Sequence, residues 1–240
     1  MKQKGQSKPS TDGNWWQALD RRATSQEYPP GVALLSQAAP AREVFIIRRG
    51  LVKLVWLDEG GQEVLMGLRG ASWVLGGAAA TLAEPATFST VTLTACELQR
   101  LAAADFLSLL ATEAAFAAHW QRLLCRENLA QMQRTVELRC RPARLRLEQL
   151  LWELVCLSGE GEPLQLPMKF WELADLIAVT PEYLSRLLAR LERDGLLRRD
   201  DGQIVIPSAD LLWRGQHLNN SATKRLRQGV PENFFEGLLI

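Results

Sequence analysis

Histidine is scarce in this chain: only His119 and His217 occur among 240 residues. That is too few for a metal centre built on imidazole ligands, and no metal site is expected. The four cysteines, Cys96, Cys125, Cys140 and Cys156, stand far apart with no CxxC pair. Such spacing argues against a disulfide framework and a structural zinc site, and points to a reducing compartment, the cytoplasm. No apolar run approaches the roughly 20 residues that a membrane span needs. The opening MKQKGQSKPSTDGN has no apolar core segment and reads as a polar tail, not a signal peptide. Charge of one sign is missing too: 28 Lys and Arg face 27 Asp and Glu, a formal net charge of +1. A nucleic-acid partner would therefore have to be met by a local basic cluster. There is no phosphate-binding glycine loop, no Cys/His or Ser/His pattern, and no paired carboxylates in a recognisable setting. The chain is not expected to be an enzyme, and no cofactor is predicted.

What is present is concentrated between Lys169 and Ile206. Phe170, Leu173, Ala174 and Ile177 follow helical spacing and predict a short helix with one apolar face. Thr180 then precedes Pro181. A threonine hydroxyl can accept an orphan backbone N–H at a helix start, and proline suits the first helical position. A second helix is predicted from Pro181, with Leu184, Leu187, Leu188 and Leu191 inward and Glu182, Ser185, Arg186, Ala189 and Arg190 outward. Gly195 ends it. Leu196 and Leu197 read as a buried strand, Asp201-Gly202 as a tight turn, and Gln203 to Ile206 as the return strand. Helix, turn, helix and two-stranded wing is the plan of a winged helix-turn-helix. Arg186, Arg190, Arg193, Arg198 and Arg199 supply the local basic cluster, diluted by Glu192, Asp194, Asp200 and Asp201.

Upstream the texture differs. From Tyr28 to about Leu101, short apolar runs alternate with turn signals such as Arg49-Gly50, Glu59-Gly60-Gly61 and Arg69-Gly70. Strands at that spacing predict a sandwich or barrel. Trp15 to Leu19 can begin a short helix. Ala102 to Leu110 is helical, and Thr112 to Arg139 reads as one long helix of about 42 Å at 1.5 Å per residue. Phe116, Trp120, Leu123 and Leu124 form one apolar patch on it. Cys125, Leu129, Met132 and Val136 recur at intervals of 4, 3 and 4, a coiled-coil seam. The patch is expected to pack on the β domain and the seam on the same helix of a second subunit; the alternative is a core helix in a monomer. Arg141-Pro142 is a break and a hinge. A further helix runs from Pro142 to Cys156 on Leu145, Leu147, Leu150, Leu151 and Leu154. Ser158 to Pro163 reads as a loop and Leu164 to Leu166 as a short strand.

The segment from Arg42 to Leu82, REVFIIRRGLVKLVWLDEGGQEVLMGLRGASWVLGGAAATL, resembles the cyclic-nucleotide-binding β-roll. Together with the C-terminal pattern, Tyr28 to Trp213 resembles the cyclic-AMP receptor protein / fumarate-nitrate regulator (CRP/FNR) family of bacterial transcription factors. The resemblance implies an α+β chain. It would comprise an N-terminal tail and short helix (1–27), a β-roll or jelly roll (28–111), a dimerisation helix (112–139), a winged helix-turn-helix (142–213) and a tail of unknown role (214–240). It implies double-stranded DNA, a second copy and RNA polymerase as partners, with no membrane.

Glu182, Ser185 and Arg186 match the E-x-x-S-R pattern of the fumarate-nitrate-regulator branch, whose half-site would resemble TTGAT. Arginine can bond a guanine edge, glutamate can accept from cytosine N4, and serine reaches base or phosphate. Thr180, Tyr183, Arg190 and Arg199 complete the expected DNA-binding set. Pro181 stands where many relatives carry a donor. The plainer readings are a helix-dipole role for Glu182 and an i, i+4 pair between Glu182 and Arg186.

Cyclic-nucleotide binders of the family carry a Gly-Glu pair where this chain has Gly76-Gly77, and an Arg-Ser pair where it has Ala86-Thr87. Ribose anchor and phosphate countercharge are both absent from those positions, and a buried phosphate without a positive partner is costly. The pocket is thus read as degenerate: cyclic AMP is not expected to bind tightly, and the effector is unknown. The iron–sulfur cysteines of the fumarate-nitrate regulator are absent from this N-terminus, and His119 reads as a helix-surface side chain. A haem or redox sensor of the same architecture is one alternative. A ligand-binding adaptor with a degenerate helix-turn-helix is the other.

Overall fold

The computed structural model describes residues 15–158, 168–200, 203–206 and 238–239. Helix α1 (Trp15–Asp20) precedes eight strands: β1 (Thr24–Tyr28), β2 (Ala33–Leu35), β3 (Glu43–Arg49), β4 (Val52–Leu57), β5 (Glu63–Arg69), β6 (Val74–Leu75), β7 (Ser89–Thr92) and β8 (Cys96–Ala102). Helix α2 (Gly77–Leu82) lies between β6 and β7. Next come α3 (Ala103–Thr112), α4 (Ala114–Cys140), α5 (Ala143–Ser158), α6 (Phe170–Leu176) and α7 (Pro181–Arg193). Strands β9 (Arg198–Asp200) and β10 (Gln203–Val205) follow, and β11 (Leu238–Leu239) closes the order.

The first eight strands form two sheets, ordered β1-β8-β3-β6 and β5-β4-β7-β2, with β11 pairing on the free side of β5. All named pairings are antiparallel. This is a jelly-roll arrangement with helices at its ends, so the chain is α+β. Val44, Phe45, Ile46 and Ile47 are buried in succession, so both faces of β3 are covered. Trp15, Leu19, Phe106, Phe116 and Trp120 join these strands in one core. Phe106 meets Phe116 and Trp120 edge-on, with ring centroids 5.8 and 5.4 Å apart, a geometry that suits the aromatic quadrupole.

A second core takes in α5, α6, α7 and the wing: Leu147, Leu150, Leu151, Leu173, Leu176, Leu184, Leu187, Leu188, Leu191 and Ile204. It also contains Val55, Leu65 and Leu68 from β4 and β5, so the two lobes share apolar surface. Two carboxylates reinforce that contact. Glu172 of α6 is paired with Lys53 of β4, and Asp175 Oδ2 accepts the backbone N–H of Leu65 at 3.0 Å.

Several sequence expectations are corrected. His119 is not on the surface. It is 9% exposed and stacks on Trp15 with centroids 3.8 Å apart, because α1 folds across α4. Thr112 belongs to α3, and the long helix begins at Ala114 after a break at Glu113, whose φ and ψ are −114° and 92°. Leu197 is buried, but strand β9 starts only at Arg198. Strand β1 carries no apolar signal; its residues are polar because they form an edge paired only with β8. The Asp201-Gly202 turn, the 164–166 strand, His217 and nearly all of the C-terminal tail lie outside the described residues.

Leu188 is fully buried among the helices of the second core. Leu188→Ala is expected to destabilise the C-terminal lobe by about 2–5 kcal/mol, as cavity-forming leucine truncations do. Urea unfolding followed by tryptophan fluorescence measures it, and a loss under ~1 kcal/mol would contradict the packing described.

Candidate nucleic-acid interface and ligand cavity

Helix α7 starts as its sequence demands. Thr180 is extended (φ −76°, ψ 153°), its Oγ1 accepts the N–H of Tyr183 at 3.3 Å, and Pro181 occupies the first turn. Gly195, at φ +72°, turns the chain out in the left-handed region that glycine tolerates best. Leu184, Leu187, Leu188 and Leu191 are buried, while Glu182, Tyr183, Ser185, Arg186 and Arg190 are exposed. The outward face is therefore a polar ridge with Glu182, Ser185 and Arg186 at i, i+3 and i+4.

Arg186 lies over the Tyr183 ring, its guanidinium carbon 5.4 Å from the centroid, and forms no ion pair with Glu182 among the described residues. The Glu182 carboxyl is held below its ordinary range by its own backbone N–H and by Thr180, with the Arg186 charge adding to this. It is thus an acceptor at neutral pH. Arg199 is committed elsewhere. Its Nη2 and Nε contact Glu192 Oε2 at 2.7 and 2.9 Å, and its backbone N–H donates to Glu192 Oε1 at 2.8 Å. This ties the wing to α7, where the sequence suggested a guanidinium free for DNA. The tie in turn holds the Glu192 carboxyl low.

The second site is a cavity of about 420 Å³ between the β-roll, α2 and α4. The four degenerate positions converge there: Gly76, Ala86 and Thr87 line it, and Gly77 opens α2 beside it. Gly76 sits at φ +79°. A Cβ on Gly77 would lie 2.7 Å from Trp120 Cη2 and 2.9 Å from Val74 Cγ1, closer than side chains approach. The ground a glutamate would occupy is filled by Trp120. Ala86 is 7% exposed and offers no polar group.

Ala86 and Thr87 supply no countercharge, but positive charge reaches the cavity from elsewhere. Two guanidiniums line the same cavity from other elements, Arg69 at the end of β5 and Arg134 on α4. Arg69 is 4% exposed, donates to Glu127 Oε1 and Leu68 O at 2.7 Å each, and lies over the Trp73 ring at 4.6 Å. Burial pushes its pKa down against the raising effect of Glu127. Arg134 is also pushed down, by burial first and by the Arg69 charge second. Neither residue was a sequence candidate. Arg69 reads as part of a turn signal and Arg134 carries no signal of its own, since no local pattern marks a residue that a distant element buries.

On α4, Phe116, Trp120 and Leu123 pack into the first core, whereas Leu124 does not. Leu129, Met132 and Val136 are 55%, 62% and 56% exposed, and Cys125 is exposed beside them. The seam residues thus form an uncovered apolar stripe about three turns long.

A family model of the cyclic nucleotide-binding domain matches residues 25–113, and one of the Crp-like helix-turn-helix domain matches residues 145–214. The chain belongs to the CRP/FNR family. Its members are transcription regulators, not enzymes, and the C-terminal lobe is the family's DNA-binding helix-turn-helix. Among curated relatives, a protein named Probable transcriptional regulator flp, from Lacticaseibacillus casei, is 28% identical over 80% of this chain and 87% of its own length. The cyclic AMP receptor protein of Thermus thermophilus is 27% identical over 77% of this chain and 84% of its own. Two solved structures share the fold. FixK2 from Bradyrhizobium japonicum has a TM-score of 0.67 at 18% identity, covering 80% of this chain and 96% of that one. TTHB099, a CRP-family transcriptional regulator from Thermus thermophilus, has a TM-score of 0.66 at 19% identity, with 79% and 95% covered. No described helix of this CRP/FNR regulator is long and apolar enough to cross a membrane.

Gly77→Glu restores the residue type that the family's nucleotide binders carry, but into space held by Trp120. It is expected to destabilise the N-terminal lobe by about 1–3 kcal/mol, the usual cost of overpacking, without creating cyclic-AMP binding. Thermal melts with and without the nucleotide measure both; an unchanged melting temperature would refute the steric account.

Proposed function

We propose that this CRP/FNR regulator binds a two-fold symmetric DNA site as a homodimer and is not controlled by cyclic AMP. The observation that carries the reading is the division of α7: four leucines buried, and Glu182, Ser185 and Arg186 together on the exposed side. A helix so placed can enter the major groove with its first turns against base edges. Arg186 can bond a guanine, ionised Glu182 can accept from cytosine N4, and Ser185 reaches either base or phosphate. Thr180, Tyr183 and Arg190 stand at positions for backbone contacts. Arg199 contributes mainly by holding the wing against Glu192.

The uncovered stripe Cys125, Leu129, Met132 and Val136 supports the dimer, since an apolar seam at coiled-coil spacing is stabilised by burial against a second helix. Two copies of α7 would then meet successive major grooves about 34 Å apart. Independence from cyclic AMP is supported by the filled space at Gly77, where the family's glutamate would hold the ribose, and by the apolar Ala86, which offers the phosphate no countercharge.

Selection of bound sequences from a random duplex library tests the reading directly, with symmetric TTGAT-like half-sites the expected outcome. Arg186→Ala is expected to lower specific affinity by roughly 1–3 kcal/mol and relax one base position. Unchanged operator binding would refute its role. Binding to random duplex should fall steeply with salt, whereas an adaptor would show no slope. Leu129→Asp with Met132→Asp should convert the protein to a monomer in sedimentation experiments; a persistent dimer would exclude this seam. Millimolar cyclic AMP is expected to leave the melting temperature unchanged.

A further inference from the structure

The cavity beside α4 is apolar along most of its wall, with Leu54, Val74, Leu75 and Trp120 contributing. Thr87 and Thr90 add hydroxyls near β7, but the charged groups come from one α4 face and one strand end. Glu127, Gln131 and Arg134 follow at i, i+4 and i+7, and Arg69 reaches Glu127 from β5. The charges do not balance: two guanidiniums and one carboxylate line the space. Gln131 Nε2 also draws on that carboxylate, at 2.9 Å from Glu127 Oε1. Arg134 Nη1 is buried with no hydrogen-bond partner, and so is Glu127 Oε2. A buried charged donor left unpaired is costly, and the arrangement becomes favourable when an anion supplies the acceptor.

We infer that the cavity binds a small monoanionic organic acid, its apolar body against Trp120 and the leucines and its carboxylate on Arg134 Nη1. A volume of about 420 Å³ lies within the ~300–1,000 Å³ of small-molecule sites, and a few convergent polar groups in an apolar pocket are what such sites show. Glu127 Oε2 can accept from a hydroxyl next to the acid group. Cyclic AMP does not suit the site, because Trp120 takes the space at Gly77 where the family's nucleotide binders carry the glutamate that holds the ribose. The inference rests on the proposed independence from cyclic AMP, and it names the class of effector instead.

The same guanidinium faces the DNA-binding lobe. Arg134 Nη2 donates to Leu176 O, the last residue of α6, at 3.3 Å. Arg146 holds the next carbonyl, that of Ile177, at 2.8 Å. A guanidinium is rigid and planar, so an acid on Nη1 sets the plane in which Nη2 meets Leu176. The bound acid therefore steadies α6, and with it the turn into α7.

Calorimetry on the full chain with octanoate and 2-naphthoate tests this, with 1-octanol and 2-naphthalenemethanol as uncharged counterparts and cyclic AMP as a separate arm. Saturable binding of an acid, at least tenfold weaker for the matching alcohol and for Arg134→Gln, is the expected result. Arg134→Lys retains the charge and should keep binding within several-fold. Thermal melts of both variants exclude unfolding as the cause of any loss. Equal binding of acid and alcohol, unchanged binding by Arg134→Gln, or no binding by either acid overturns the inference. Cyclic AMP binding alongside an acid overturns only the proposed independence from the nucleotide; cyclic AMP binding without an acid overturns both. Hydrogen exchange in α6 should slow when octanoate is bound, and unchanged exchange there removes the link to the DNA-binding lobe.

Discussion

The arrangement depends on one buried carboxylate. Glu172 is 2% exposed, and an ionised group so deep is strongly unfavourable unless it is paired and its remaining lone pairs are used. Both conditions are met. Lys53 from β4 supplies the countercharge, and the backbone N–H of Lys169 donates to Glu172 Oε2 at 2.7 Å. The residue thus begins α6 and fastens it to the β-roll in one step. Removing Lys53 would leave a buried charge, so the contact is more costly to break in half than never to have made. With Asp175 on the Leu65 amide and Val55, Leu65 and Leu68 in the shared core, α6 has a defined seat, and α7 inherits its outward face from that seat.

Helix α4 is the second organising element, and its two halves do different things. Its first turns are buried by aromatic packing: Phe116 and Trp120 against Phe106, and His119 on Trp15. Further along, the same helix leaves the core and presents an apolar stripe outward, while Arg134 points back into the cavity and across to Leu176. One rigid rod therefore touches the cavity, the DNA-binding lobe and the exposed apolar stripe. A change at any one of these places is mechanically adjacent to the other two, which is what a regulator of this build requires.

Most of the elements were legible along the chain. The strand-rich span from Tyr28 to about Leu101 and the helices from α3 to α7 fall close to their expected places, because turn signals, helical spacing and the Thr180-Pro181 start are local signals. Departures occur where a distant element decides. His119 reads as a surface residue until α1 crosses it. Arg199 reads as free until Glu192, seven positions earlier, captures it across the Gly195 turn between α7 and β9. The polar strand β1 lacks an apolar pattern because it lies at a sheet edge.

The sequence by itself determined the output end: a capped, leucine-faced helix carrying Glu182, Ser185 and Arg186 on its other side, since residues three and four apart on a helix share a face in any surroundings. It also showed that the family's nucleotide anchors are missing at Gly77 and Ala86. Only the tertiary structure decided which charged groups line the cavity there. Arg69 and Arg134 lie 65 positions apart in sequence, and no periodicity links them. They become neighbours because β5 and α4 wall the same cavity. Their charge matters because burial strips away the water that would otherwise screen it.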